Sequence, residues 1–331
     1  MKATAIANSN IALVKYWGKR NEKLILPQNS SISITLGDLN TITTVDFDKK
    51  YKQDVCFLNN KKLKDGKELK QIVKHLNLIR KISGIKHKAK MASKNNFPTA
   101  AGLASSASGF AALSLAASKA AGLNSNLTEL SILSRMGSGS ATRSCMGGFV
   151  EWKRGTKKDG TDSKAQQIVP PGHWPQFRII TTIVSTTKKK ISSRVGMQQT
   201  VKTSPLYSLW LKTIEKDLKN VKRGILKKNL TLVGRTAEQN CLKMHATMMT
   251  TNPPIIYWEP ETIKIIKSIL DWRNAGLEAY FTIDAGPQVK VICLEKDVPG
   301  LKKRLKKIKG IKKIIDCKPG GDPKIINKHL F

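Results

Sequence analysis

Apolar and polar residues alternate over residues 31–36 (Ser-Ile-Ser-Ile-Thr-Leu) and 41–47 (Thr-Ile-Thr-Thr-Val-Asp-Phe), the period of half-buried strands. The period then lengthens. Leu69, Ile72, Val73, Leu76 and Ile79 recur at helical spacing and predict an amphipathic helix over 67–82. The alanine-rich stretch 106–121 predicts a buried helix, 127–136 a second one, and 147–152 (Gly-Gly-Phe-Val-Glu-Trp) the strand after it. Beyond a Pro/Gly cluster at 170–175 the pattern predicts a strand at 178–185 and helices over 205–228 and 261–274. Two strands follow near 278–283 and 288–294, joined by Asp284-Ala285-Gly286-Pro287, and an amphipathic helix covers 299–309. Strands and helices intermix without a strict βαβ period, so the class is α+β. The Pro/Gly cluster divides the chain into residues 1–175 and 176–331.

Composition narrows the classes. With 331 residues, 40% hydrophobic and 25% charged, the chain is long enough for a sizeable core and too apolar for disorder. The quietest stretch, Gly102 to Leu123, is too polar for a membrane span, and Asn8, Ser9, Asn10 and Lys15 interrupt any signal-peptide core. Cys56, Cys145, Cys241, Cys293 and Cys317 are scattered without a CxxC pair. They read as small buried residues in a reducing, cytoplasmic interior rather than a disulfide framework. The net charge of +36, carried by 48 lysines, attracts polyanions in general. The lysines are dispersed and few aromatics interleave with them. A solvated surface is therefore expected, with no specific nucleic-acid partner.

Two small-residue stretches carry the candidate chemistry. One is 97–110 (Phe-Pro-Thr-Ala-Ala-Gly-Leu-Ala-Ser-Ser-Ala-Ser-Gly-Phe) and the other 137–144 (Gly-Ser-Gly-Ser-Ala-Thr-Arg-Ser). Each meets a predicted helix. Small side chains let backbone N–H groups approach an anion, and a helix N-terminus adds a favourable dipole. The pair points to nucleotide phosphates beside a second anionic group. The first stretch lacks the GK[ST] of a Walker A loop, and tight helix packing accounts for it equally well. The second adds Arg143, which suits bidentate recognition of a carboxylate or phosphate, or lies on the surface beside a turn. Lys15-Tyr16-Trp17-Gly18-Lys19-Arg20 mixes basic and aromatic residues as a phosphate-binding segment does, but a strand end with snorkelling lysines looks the same. By spacing alone, Asp284 is a turn residue, Lys190-Ile191-Ser192-Ser193-Arg194 a solvated loop and His245 a core histidine.

Taken together the segments are specific. Asn10–Arg20 (Asn-Ile-Ala-Leu-Val-Lys-Tyr-Trp-Gly-Lys-Arg), Leu26–Ser31 (Leu-Pro-Gln-Asn-Ser-Ser), Asn95–Ala107, Gly137–Ser144 and Phe281–Pro287 (Phe-Thr-Ile-Asp-Ala-Gly-Pro), in this order, closely resemble the diphosphomevalonate decarboxylases of the GHMP kinase superfamily. The likeness runs from about residue 5 to 294. It implies the GHMP kinase fold, with two α/β domains flanking a deep active-site cleft, the first of them binding ATP. It implies ATP as co-substrate with Mg²⁺, and a homodimer. The implied reaction phosphorylates the 3-hydroxyl of mevalonate 5-diphosphate and then expels phosphate and CO₂ to give isopentenyl diphosphate.

The resemblance also implies roles. Asp284 would orient or deprotonate the tertiary hydroxyl, Arg143 would clamp the substrate carboxylate, and Lys15 would neutralise charge beside the reacting hydroxyl. Tyr16, Trp17, Gly18, Lys19, Ser138, Gly139, Ser140, Ala141, Thr142, Ser193 and Arg194 would line the substrate site. Pro98, Thr99, Ala100, Ala101, Gly102, Leu103, Ala104, Ser105, Ser106, Ala107 and Ser108 would carry the ATP phosphates, with Ser106 helping to place Mg²⁺. Lys67 and Lys70 stand where many relatives open a helix with a substrate-binding Arg, which leaves mevalonate 5-phosphate as an alternative substrate. A kinase of the same superfamily that does not decarboxylate is a further alternative.

Overall fold

A computed structural model describes residues 1–97, 105–187 and 189–331. In the first half, strands β1 (Lys2–Val14), β2 (Lys19–Asn21), β3 (Leu26–Pro27), β4 (Ser31–Phe47), β5 (Val55–Leu58) and β6 (Lys61–Lys62) precede helix α1 (Lys67–Ser83). Strand β7 (Ala89–Asn95), helices α2 (Ser105–Ala120) and α3 (Leu127–Gly137), and strands β8 (Phe149–Trp152) and β9 (Ala165–Val169) complete it. The second half runs β10 (Phe177–Ile183), α4 (Ser193–Thr203), α5 (Tyr207–Leu226), α6 (Leu230–Met249), α7 (Pro260–Asn274), β11 (Tyr280–Ile283), β12 (Val289–Leu294), α8 (Val298–Lys306), β13 (Lys313–Cys317) and β14 (Lys324–Ile326).

Among the described residues, β14-β1-β4-β7-β5-β6 form one sheet, with β8 and β9 branching from β4, and β11-β12-β10-β13 form another. The last strand of the chain, β14, thus returns to pair with β1 in the first sheet. The largest apolar cluster also crosses between the halves. It joins Leu13, Ile32, Phe149 and Trp152 to Phe177, Leu218, Val233 and Tyr280.

The strands expected at 31–36 and 41–47 are one strand, β4. Its pairing with β1 jumps from Asn8↔Asn40 to Ser9↔Leu36, so the polar interruption is a β-bulge and not a turn. Gly37 N–H at the bulge donates to the Lys318 carbonyl at 2.9 Å, which brings the C-terminal segment over it. The helix expected over 127–136 is α3, and it leads into the second small-residue stretch with its C-terminus. The Asn126–Glu129 capping box starts α3 upstream, and 139–145 is a 3-10 turn after the C-terminus of α3. No positive helix end lies there.

Candidate active site

The site is built where strands from both sheets run out. β1 ends at Val14, and Lys15 turns inward. Its Nζ donates to the Ala12 carbonyl at 2.9 Å and to Asp284 Oδ1 at 2.7 Å. Asp284 follows β11 in the turn before β12. Lys15 is 1% exposed, whereas the Asp284 side chain keeps 27% exposure and remains reachable. Burial raises the Asp284 pKa, but the charges of Lys15, Lys290 and Arg143 and the Lys15 hydrogen bond more than offset this and hold it below the usual carboxylate range.

Arg143 lies in the 3-10 turn and is 3% exposed. Nη1 donates to Ser31 Oγ at 2.6 Å and Nη2 to Asn10 Oδ1 at 3.3 Å. Its Nε is buried with no hydrogen-bond partner among the described residues. Burial lowers its pKa to about 10, against the opposing pull of Asp284 and Tyr16, so it stays charged at neutral pH. A buried cation with a spare N–H is a socket for an anion. Asn10 completes the frame, donating to the Ser140 carbonyl at 3.0 Å and to Ser144 Oγ at 2.8 Å.

Two further cations close on Asp284. Lys290 is 3% exposed, and burial draws its pKa down to about 8 while Asp284 pulls it up. Lys189 Nζ donates to Ser193 Oγ at 2.7 Å and to the Ala285 carbonyl at 2.8 Å; burial lowers its pKa to about 8 as well. The surroundings of the one carboxylate are therefore strongly electropositive, as capture of a multiply anionic ligand requires.

The remaining expected residues lie as follows. Tyr16 packs edge-on against Trp152 with ring centroids 4.7 Å apart, and burial raises its pKa, so its hydroxyl is a donor. A Cβ at Gly139 would lie 2.8 Å from this Tyr16 ring, so only glycine allows the approach. Trp17 is buried and its carbonyl accepts from the Tyr207 hydroxyl at 2.7 Å. Lys19 is paired with Glu22 at 2.6 Å. Ser138 Oγ lies 3.2 Å from both Ser140 Oγ and Ser106 Oγ, joining the second stretch to the head of α2. Ala141 and Thr142 are fully buried, Ser193 is half-buried, and Arg194 is exposed at the start of α4. Ser105 is half-buried and Ser106 exposed, while Ala107 is buried and Ser108 turns inward to Thr41 Oγ1 at 2.7 Å. Pro98, Thr99, Ala100, Ala101, Gly102, Leu103 and Ala104 lie outside the described residues. Lys67 and Lys70 are exposed on α1, and Lys70 faces Asp65 at 3.6 Å. His245 is a core histidine, kept neutral by burial that lowers its pKa to about 3.

Sequence reasoning missed Asn10 and Ser31 as partners of Arg143, and Lys189 and Lys290. Both neutral residues lie in the quoted segments but carry no charge signal. The two lysines are hidden among 48. The hydroxyl of Ser106, exposed at the head of α2, is a hard oxygen donor of the kind Mg²⁺ takes beside phosphate oxygens, so this residue fits that ion.

Gly18 shows how tightly this segment is built. Its φ is +100°, and a Cβ there would overlap the Tyr207 hydroxyl. Gly18→Ala should lose about 2–4 kcal/mol of stability, through left-handed strain plus overpacking. Denaturant unfolding of the variant checks this, and an unchanged midpoint would contradict it.

Two sheets sharing a core, with a lysine–carboxylate pair and a buried arginine at their junction, fit the GHMP kinase class that the sequence resemblance implies. The profile of the diphosphomevalonate decarboxylase-like N-terminal domain matches residues 7–165, and that of the mevalonate 5-diphosphate decarboxylase C-terminal domain residues 179–326. The diphosphomevalonate decarboxylase of Candida albicans is 40% identical over 303 residues, which is 87% of this chain and 83% of the relative. The structure is similar to that of the mevalonate diphosphate decarboxylase from Enterococcus faecalis, with a TM-score of 0.91 at 40% identity over 98% of this chain and 99% of that one. A solved structure described as MDDEF in complex with MVAPP, AMPPCP and magnesium is similar at a TM-score of 0.92 and 40% identity, covering 98% of this chain and 99% of that one. The chain belongs to the diphosphomevalonate decarboxylase family.

Proposed function

We propose that the chain converts mevalonate 5-diphosphate to isopentenyl diphosphate with consumption of ATP, and that the Lys15–Asp284–Arg143 group carries the chemistry. The observation that carries the reading is a single ionised carboxylate ringed by buried cations, one of them with an unsatisfied N–H. A tertiary hydroxyl is a poor nucleophile. Asp284 accepts its proton as the oxygen attacks the terminal phosphorus of ATP and ADP departs. Lys15 keeps that carboxylate ionised and aimed. Arg143 holds the substrate carboxylate through its free N–H face, fixing the C–C bond that breaks as phosphate and CO₂ leave. Tyr16 and Lys19 hold the distal phosphates, with Ser138, Ser140 and Arg194 around them. The head of α2 supports the nucleotide phosphates. Mg²⁺, when bound, supplies charge neutralisation across those phosphates.

The same proposal places the enzyme in the cytoplasm, which its five free, buried cysteines support. Among the described residues no helix is long and apolar enough to cross a membrane. A homodimer is the proposed assembly; Ile263 and Leu270, exposed seven positions apart on α7, leave apolar surface for it. The Pro/Gly cluster, in which Pro171–His173 forms a 3-10 turn, supports a domain division near 175.

The test offers mevalonate 5-diphosphate and mevalonate 5-phosphate separately with ATP and Mg²⁺ and counts CO₂. Release from the diphosphate is expected. Release from the monophosphate alone would move the substrate assignment, and phosphorylation without CO₂ would make the protein a kinase.

A further inference from the structure

We propose that Asn240, on the buried face of α6, is a positioning residue that sets the backbone of Lys15 and so the alignment of Lys15 with Asp284; this rests on the reading of that pair as the reacting centre. Lys15 is the first residue past β1 and has left the strand ladder, which ends at Val14↔Ile32. Its buried N–H needs another acceptor. Asn240 Oδ1 provides it at 2.8 Å, and on the other side Asn29 Nδ2 donates to the Lys15 carbonyl at 2.8 Å. The peptide groups on both flanks of Lys15 are thus held by amide side chains.

Asn240 is itself fixed. It is fully buried, and its Nδ2 donates to Asp217 Oδ2 at 2.8 Å. Asp217, on α5, also accepts from Lys243 Nζ at 2.6 Å, and that ammonium donates to Thr213 Oγ1 at 2.9 Å. The amide of Asn240 both accepts from Lys15 and donates to a carboxylate, a pairing that neither a carboxylate nor an aliphatic side chain can make at this position. The next residue of α6 holds the other half of the pair. Ile283 N–H donates to Cys241 Sγ at 3.1 Å, and the Ile283 carbonyl faces His245 Nε2 at 3.3 Å. One helix therefore grips the residue bearing the ammonium and the residue before the carboxylate. The ionisable groups facing this pair are Lys290 on β12, Arg143 in the 3-10 turn, Lys189 before α4, and Cys241 and His245 on α6.

The test is a set of exchanges at this amide. Asn240→Leu removes both bonds. It should lower kcat about 100-fold with KM changed less than about threefold, because misplacement near the chemistry acts on the transition state. Its acid limb in kcat should move to higher pH, since a displaced Lys15 no longer holds the Asp284 carboxyl low. A residue with only a structural role would lower active enzyme without moving that limb. Asn240→Asp sets two carboxylates against each other and should also be impaired. Adding Asp217→Asn restores the donor–acceptor order in reverse and should recover at least about tenfold in kcat. This pair keeps the proposal falsifiable if the Leu variant does not fold. A folded Asn240→Leu enzyme with normal kcat and an unmoved acid limb would overturn the inference, as would no recovery in a folded double variant. If Asp284→Asn is inactive while the Asn240 variants behave normally, positioning alone fails. If Asp284→Asn turns over normally, the reading of the pair fails first.

Discussion

Asp284→Asn should fold like the parent protein, bind substrate and ATP, and lose turnover by about 10²–10⁴-fold, the range for loss of a general base. The amide keeps the shape and one acceptor for Lys15 Nζ, so the 2.7 Å contact can persist as an ordinary hydrogen bond. It cannot take the proton of the tertiary hydroxyl. It also removes the one negative charge among Lys15, Arg143, Lys189 and Lys290, so anion binding should hold or tighten. The expected signature is low kcat with unchanged or lower KM. Near-normal kcat in this variant would remove Asp284 from the chemistry.

Arg143→Lys should be nearly as damaging, at about 100-fold in kcat/KM, because orientation is lost along with the contact. The guanidinium spans Ser31 and Asn10 with two nitrogens and leaves a third without a partner. One ammonium cannot serve both frame residues and still present a planar face to a carboxylate. ATP affinity, measured by titration, should change little. If ATP affinity collapses while turnover at saturating ATP survives, Arg143 belongs to the nucleotide side instead.

Much of this was legible in the chain. Helical spacing at Leu69–Ile79 and the strands expected near 278–283 and 288–294 correspond to α1, β11 and β12 of the structure. Other elements carried no such pattern. β1 is buried along most of its length through small and polar residues (Ala3, Ala5, Ser9, Asn10), so hydropathy does not alternate there. α6 buries Asn240, Cys241, Thr247 and His245 among its apolar residues, which blurs the helical stripe. Buried polar residues of these two elements find partners far along the chain: Asn10 donates to Ser144 Oγ and accepts from Arg143, and Asn240 accepts from the N–H of Lys15, just past β1. Long-range partnership has no local signal. The same holds for the site: Lys15, Arg143 and Asp284 stand in recognisable segments, whereas Asn10, Ser31 and Lys290 acquire meaning only from where the backbone puts them.

The most direct test of the central claim is the coupling of the two half-reactions. ADP and CO₂ are counted together in single turnovers of the parent enzyme with mevalonate 5-diphosphate, ATP and Mg²⁺. The proposed site predicts that they rise one for one, and that neither forms with Asp284→Asn on the same timescale. ADP without CO₂ in the parent enzyme, or both products at the parent rate from the Asp284→Asn variant, would contradict it.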